Sequence, residues 1–138
     1  MSLSMEQKQA IQEMLAAGAY AYDERDMEAL AAGFTEDATM SMRIAGGDLI
    51  GPFEGREAIM GLMRGAMDEQ TDVRRHVIAN SFYDESGEHP VVTSVLTLMA
   101  TENGITRLLA TGIYRDTVVE RDGRWCLLKR HIDLDAPY

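Results

Sequence analysis

"VRRHVIANSFYDESGEHPVVTSVLTLMAT", residues 73–101, is where the chain changes its hydrophobic period. Upstream of Thr71 the apolar residues recur at helical spacing; from Val73 they approach strict alternation, the mark of half-buried strands. The quoted stretch reads as two strands, 73–84 and 90–101, joined by the turn "ESGEH". After a second turn, "ENG", the run "TRLLATGIYRDTVVE" (106–120) extends the pattern, and "RDGR" (121–124) folds it back into "WCLLKRHIDL" (125–134). Helices first and long hairpin-linked strands afterwards is an α+β order, and it predicts an antiparallel sheet rather than βαβ alternation.

Working back from that boundary, Ile11, Met14, Leu15, Gly18, Ala19 and Tyr22 follow the i, i+3, i+4, i+7 template of an amphipathic helix. Ser4 with Gln7 three residues later supplies its capping box. A second short helix starts with Asp26 as N-cap and buries Met27, Leu30, Ala31 and Phe34 before "TEDA" (35–38) breaks it. "DATMSMRI" (37–44) reads as a strand ending in a turn at Gly46 and Gly47. "GREAIMGLMRGAM" (55–67) places Ile59, Leu62, Met63, Ala66 and Met67 on one face of a third helix. Three helices cover one face of the sheet. A second subunit is expected on the other, because a wide apolar face is rarely left in water.

At 138 residues and 46% apolar composition the chain is expected to form one domain, 1–138, with a core that needs no disulfide or metal. Thirteen basic against 23 acidic residues give a formal charge of −10, which repels nucleic-acid phosphates and anionic lipid surfaces. Cys126 is the single cysteine, so no intrachain disulfide forms, which suits a reducing cytoplasm. The longest apolar runs, such as "LLATGIY" (108–114), are far below spanning length. The leading "MSL" is consistent with an expression remnant ahead of a native start near Met5.

Among chemistry-bearing residues, Asp23 stands out at the end of the first helix, beside Ala19 on the edge of the apolar stripe. It is either a solvated helix terminus or a carboxylate that reaches the interior and needs a partner. Tyr22 faces the core, where a buried phenol wants a hydrogen-bond partner. His76 lies near the start of the first long strand and shares a face, by the two-residue period, with Ile78, Asn80 and Phe82. A lone strand histidine is usually structural, but paired with a carboxylate it becomes a general base suited to neutral pH. His131 and Asp133 are two apart on the last strand, yet with His89 in a turn they form no dense ligand cluster, and no metal site is expected. The ten methionines read as packing, except that Met40 and Met42 would face a cavity if their strand lines one. Cys126, between Trp125 and Leu127, reads as inert core. No Gly-rich phosphate loop, nucleophile elbow or CxxC occurs, and no cofactor is expected.

"YAYDERDMEALAAGFTEDA" (20–38), "GPFEGREAI" (51–59), "RRHVIAN" (74–80) and "ATGIYRDTVVERDGRWCLLKR" (110–130), in this order and spacing, resemble the SnoaL-like family of the nuclear transport factor two-like superfamily. The resemblance implies a cone-shaped α+β barrel, with three helices across a strongly curved antiparallel sheet and an apolar pocket inside. It also implies a homodimer or homotrimer through the outer sheet face. Within the superfamily, the scytalone dehydratases and hexachlorocyclohexane dehydrochlorinases are similar to this chain at residues already singled out. Both carry an aspartate matching Asp23, the former a tyrosine matching Tyr22, and the latter, with the related bile acid dehydratases, a histidine matching His76. An Asp23–His76 dyad with Tyr22 beside it is thus implied, with Phe34, Met42 and Tyr114 as candidate substrate contacts. The chain departs from the scytalone dehydratases in having no histidine in "TSVLTLMA" (93–100) and no tyrosine in "TMSMRI" (39–44).

The function these residues suggest is a cofactor-independent, dehydratase-like lyase or isomerase acting on a hydrophobic small molecule. The alternative is a non-catalytic ligand carrier or accessory subunit using the same pocket. A third reading, an epoxide hydrolase, would need an Asp-Arg-Asp arrangement drawn from Arg107, Arg115, Asp116 and Asp133, and nothing in the sequence brings those together.

Overall fold

The computed structural model describes residues 2–138. Its elements are α1 (Met5–Asp23), α2 (Met27–Ala32), β1 (Phe34–Ile44), β2 (Ile50–Glu54), α3 (Arg56–Glu69), β3 (Val73–Asp84), β4 (Val91–Glu102), β5 (Ile105–Arg121) and β6 (Arg124–Leu134). Met1, the first residue of the suspected expression remnant, lies outside the described residues, while Leu3 packs into the core.

Local chemistry accounts for the helix starts. Ser4 Oγ accepts from the Gln7 amide at 3.1 Å and the Gln7 side chain accepts from the Ser4 amide at 2.9 Å, closing the expected capping box. Asp26 Oδ1 accepts from the Ala29 amide at 3.2 Å and opens α2. That helix is shorter than its apolar spacing suggests. It stops at Ala32, and Phe34, expected on its buried face, instead begins β1 opposite Leu127. The Gly33 carbonyl accepts from the Leu127 amide at 2.8 Å, so pairing with a strand almost a hundred residues away overrides the local periodicity.

All six strands form one open, curved sheet in the order β2-β1-β6-β5-β4-β3. The hairpins β3–β4, β4–β5 and β5–β6 are antiparallel as expected, but β1 and β6 run parallel. Hairpin turns dictate antiparallel pairing between neighbours in sequence; no such turn links β1 to β6, and their direction follows from how the sheet closes around the helices. The five-residue strand β2, "IGPFE", carries too little alternation to be read from sequence.

Bulges supply the curvature. In β3 the register passes from Ala79 opposite Val95 to Phe82 opposite Thr93, one extra residue on the β3 side, with Asn80 at φ 54°. The extra residue reverses the alternation. His76 and Ile78 line the concave side, but Phe82 turns outward and is 63% exposed, while Tyr83 turns inward and donates from its hydroxyl to the Lys8 carbonyl at 2.9 Å. The expected sharing of one face by His76 and Phe82 is therefore corrected.

Beneath the helices, Ile11, Ile59, Val92 and Val118 are fully buried at the centre of the core. Each buried aliphatic side chain of this kind stabilises the fold by about 1.5–3 kcal/mol. A smaller cluster of Leu96, Tyr114 and Leu134 holds the sheet further along. Gly112 lies beside it, where β5 and β6 approach so closely that a Cβ would sit 2.5 Å from the Asp133 carbonyl oxygen. Gly112→Ala is expected to destabilise the protein by about 1–3 kcal/mol, because the obstacle is backbone and cannot rotate away. Urea unfolding measures it; an unchanged midpoint would contradict the close approach.

Candidate active site

α1 ends by tightening, with the Arg25 amide donating to the Tyr22 carbonyl at 3.1 Å and Arg25 adopting a left-handed φ of 58°. The Arg25 guanidinium then reaches the last turn of α3, donating to the carbonyls of Met67 at 3.0 Å and Gln70 at 2.9 Å. Arg25 looks like solvated surface in the sequence; here it ties two helix C-termini together and caps orphan carbonyls. The tie holds Asp23 over β3, an edge strand of the sheet.

Asp23 sits at the negative end of the helix dipole, where a carboxylate opposes helix stability, so its reason for being there is tertiary. Its Oδ1 lies 2.6 Å from His76 Nδ1 and its Oδ2 accepts from the His76 backbone amide at 2.8 Å. Both side chains are largely withdrawn from solvent, 5% exposed for Asp23 and 13% for His76. An ionised carboxylate can only accept, so Nδ1 carries the proton and the lone pair of neutral His76 resides on Nε2. Tyr22 packs edge-on against the imidazole with ring centroids 5.0 Å apart. Its hydroxyl accepts from Gln70 Nε2 at 3.0 Å, which leaves the phenolic proton available, and burial raises its pKa so that the proton is retained.

His76 and Tyr22 open onto a cavity of about 300 Å³ between the helices and the concave sheet face. Leu30, Met40, Met42, Leu62, Ile78 and Ile132 make its wall predominantly apolar, and Tyr114, Arg130 and Tyr138 add polar groups. The size and lining suit a small, mostly apolar molecule. Of the candidate substrate contacts, Met42 and Tyr114 line the cavity; Phe34 does not, since it is 2% exposed within the main core. A second depression of about 370 Å³, lined in part by Ala10, Met14, Gly33 and Trp125, is more open and lies away from the dyad.

A second polar assembly is not evident in the sequence. Arg130 on β6 donates to Asp116 on β5 from Nε to Oδ1 at 2.7 Å and from Nη2 to Oδ2 at 3.0 Å. Asp116 is completely buried, and the Arg130 guanidinium lies over the Tyr114 ring, 4.4 Å from its centroid. Burial works against the charge on Arg130, but the charge and hydrogen bonds of Asp116 outweigh it and hold the guanidinium pKa above its ordinary value. Burial likewise pushes the Tyr114 phenol up to about 12, so it is a neutral donor at physiological pH. The clue lay in register: Asp116 and Arg130 are direct cross-strand partners on the inward face of β5 and β6.

That pairing also decides the fate of the remaining candidates. Arg115 and Asp133 meet at 2.7 Å on the outer sheet face, Arg107 is exposed, and Asp116 faces inward to Arg130, so the four residues considered for an epoxide-hydrolase arrangement do not converge. His131, also outward, bonds Ser41 Oγ through Nδ1 at 2.8 Å and Asp133 through Nε2 at 3.1 Å. His89 stands in the β3–β4 turn beside Glu88. Among the described residues no group of three or more His, Cys, Asp or Glu side chains is placed to hold a metal ion. Cys126 is buried.

A family model described as a SnoaL-like domain matches residues 4–131. The chain belongs to the SnoaL-like family. No curated protein matches it. Among solved structures, a Nostoc punctiforme protein of unknown function with a cystatin-like fold superposes with a TM-score of 0.81 at 21% identity, covering 98% of this chain and 96% of that one. A Catenulispora acidiphila protein in complex with S-DNPA gives 0.82 at 24% identity, with 96% of each chain covered. A Novosphingobium aromaticivorans protein provisionally described as a scytalone dehydratase gives 0.76 at 27% identity, covering 94% of this SnoaL-like chain and 85% of the other. These likenesses show that the chain shares its fold with them. No helix among the described residues is long and apolar enough to cross a membrane.

Removing one partner of a buried bidentate pair leaves the other charge uncompensated. Asp116→Leu alone is expected to cost about 3–5 kcal/mol, whereas Arg130→Met combined with Asp116→Leu recovers most of it. A urea-unfolding double-mutant cycle measures this, and additive losses would show that the two side chains do not depend on each other.

Proposed function

We propose that this SnoaL-like protein is a cofactor-independent lyase or isomerase of the dehydratase type, acting on a hydrophobic small molecule. The observation that carries the reading is the Asp23–His76 contact of 2.6 Å beside an apolar cavity, with Nε2 left unbonded among the described residues. In this reading His76 Nε2 removes a proton from substrate carbon. Asp23 holds the imidazole in the right tautomer and orientation and stabilises the imidazolium that forms. Tyr22 donates its retained proton to an oxygen or leaving group. The apolar walls exclude water and so strengthen these interactions. Likeness to a protein described as a scytalone dehydratase supports the reaction class, and the S-DNPA complex of a structural relative supports a small-molecule occupant.

His76→Ala is expected to lower turnover of an accepted substrate by about 10²- to 10⁴-fold, and Asp23→Asn to cause a smaller loss with the binding affinity kept. Substrates are sought by incubating apolar ketones and β-hydroxy ketones in D2O and following carbon-bound deuterium by NMR. Ligand binding that persists in wild type and His76→Ala alike, with no exchange or elimination in either, would instead establish a non-catalytic carrier.

The same reading includes a homodimer or homotrimer built on the outer sheet face, where Val77, Phe82 and Leu108 are exposed. Sedimentation at a multiple of the 15.3 kDa chain mass, reverting to that mass in Val77→Glu/Phe82→Glu, is the expected result. A wild-type species at the single-chain mass removes this part of the proposal.

A further inference from the structure

The outer face of the sheet carries a polar assembly that the proposed reaction does not use. His131 stands between Ser41 on β1 and Asp133 on its own strand β6, with Nδ1 2.8 Å from Ser41 Oγ and Nε2 3.1 Å from Asp133 Oδ1. Arg115 on β5 donates to the other carboxylate oxygen, Oδ2, at 2.7 Å. Register explains the grouping. Ser41, His131 and Arg115 are partners across three neighbouring strands, and Asp133 follows His131 on the same face by the two-residue period. None of the four lines the dyad cavity or the second depression.

These contacts run in one direction. The Asp133 carboxylate can only accept, so Nε2 carries the proton of neutral His131. Nδ1 then presents its lone pair and accepts from the Ser41 hydroxyl, whose proton is aimed at a base. Burial works against the charge on Asp133, but the hydrogen bonds and charges of His131 and Arg115 outweigh it and hold the carboxyl below its ordinary value. A serine hydroxyl is a weak nucleophile until an adjacent base takes its proton. Here the base is in place, and a fixed carboxylate behind it stabilises the imidazolium that would form.

Exposure sets this group apart from a sealed core network. Ser41 is 8% exposed, but the side chains of His131 and Asp133 keep 23% and 38% of their surface, so the hydroxyl is shielded while the cluster opens to solvent. By register, Arg43, Arg115 and Lys129 share the face with Asp133 and Glu54, three cations to two carboxylates. Negative charge gathering on a carbonyl oxygen there meets a net positive field. Four strand spacings, about 19 Å on a flat sheet, separate β1 from the β3 residues Val77 and Phe82 on which the proposed assembly rests.

We propose that Ser41 is a nucleophile and that this face is a site of covalent acylation by activated carboxylic esters, such as aryl esters and thioesters. Ser41 Oγ forms a bond to the acyl carbon as its proton passes to His131 Nδ1, and the carbonyl π pair moves onto the oxygen. Collapse of the tetrahedral adduct restores the carbonyl and breaks the bond to the leaving group, which takes the proton back from His131. The products are acyl-Ser41 and the free alcohol or thiol. No oxidant, reductant or further co-reactant is consumed. Because neither cavity reaches the site, leaving-group reactivity rather than acyl shape selects the ester. The step needs neither His76 nor Asp23.

The test treats the whole protein with 4-nitrophenyl acetate and, separately, with diisopropyl fluorophosphate, and locates the adducts by tandem mass spectrometry after an acid quench. Wild type is expected to carry each label on Ser41 in preference to every other serine, and to lose both once unfolded in urea. His131→Gln should slow labelling of Ser41 by about 10²-fold or more. Asp133→Asn should slow it by less, and His76→Ala should leave it unchanged. Absence of either adduct from Ser41 in wild type, labelling that persists on unfolding, or an unchanged rate in His131→Gln overturns the proposal. So does loss of the labels in His76→Ala, which would place the reactivity at the dyad. Should His131→Gln fail to fold, the comparison of native with unfolded wild type decides by itself.

Discussion

A single carboxylate joins the helical layer to the sheet. Asp23 grips residue 76 twice, through the backbone amide and the imidazole, and so fixes the end of α1 over β3 and the ring of His76 in one movement. The position is costly for the helix, since it sets a negative charge at the negative pole of the dipole. It is retained because the tertiary contact outweighs the local penalty, and the same contact leaves Nε2 free toward the cavity. Arg25, two residues further on, reinforces the joint by capping the end of α3.

Around that joint the cavity exists because the sheet bends away from the helices. Register shifts between β1 and β2, β3 and β4, and β5 and β6 shorten one face relative to the other, and the core of Ile11, Ile59, Val92 and Val118 fills the space beneath. What remains open is walled by methionine, leucine and isoleucine and furnished with a few fixed polar groups. Asp116 and Arg130 form the second rigid element there. A buried pair of this kind contributes little net stability but specifies orientation, and orientation is what a polar group in an apolar cavity needs.

Much of this was legible in the residues. The change of period at Val73, the capping box at Ser4 and the hairpin turns "ESGEH" and "ENG" each depend on neighbours within a few positions, and each predicts the element observed. Asp23, Tyr22 and His76 could be singled out as chemically interesting from their positions on a helix face and a strand. Other features escaped for equally physical reasons. Phe34 fits a helix by spacing but is captured by pairing with Leu127; Phe82 is turned outward by a single extra residue at the bulge; and β2 is too short and too rich in Gly and Pro to announce itself.

Sequence by itself determined the element types, the α+β order, the family resemblance and the candidates for the dyad, because these follow from short-range periodicity and residue chemistry. Tertiary structure alone decided the 2.6 Å contact between Asp23 and His76, the parallel pairing of β1 with β6, and the placement of Arg130 against Asp116 on the cavity wall. Those outcomes depend on how a curved sheet closes and on which bulges set its register. A one-residue shift in register moves a side chain from one face to the other, and no local pattern records where such shifts accumulate.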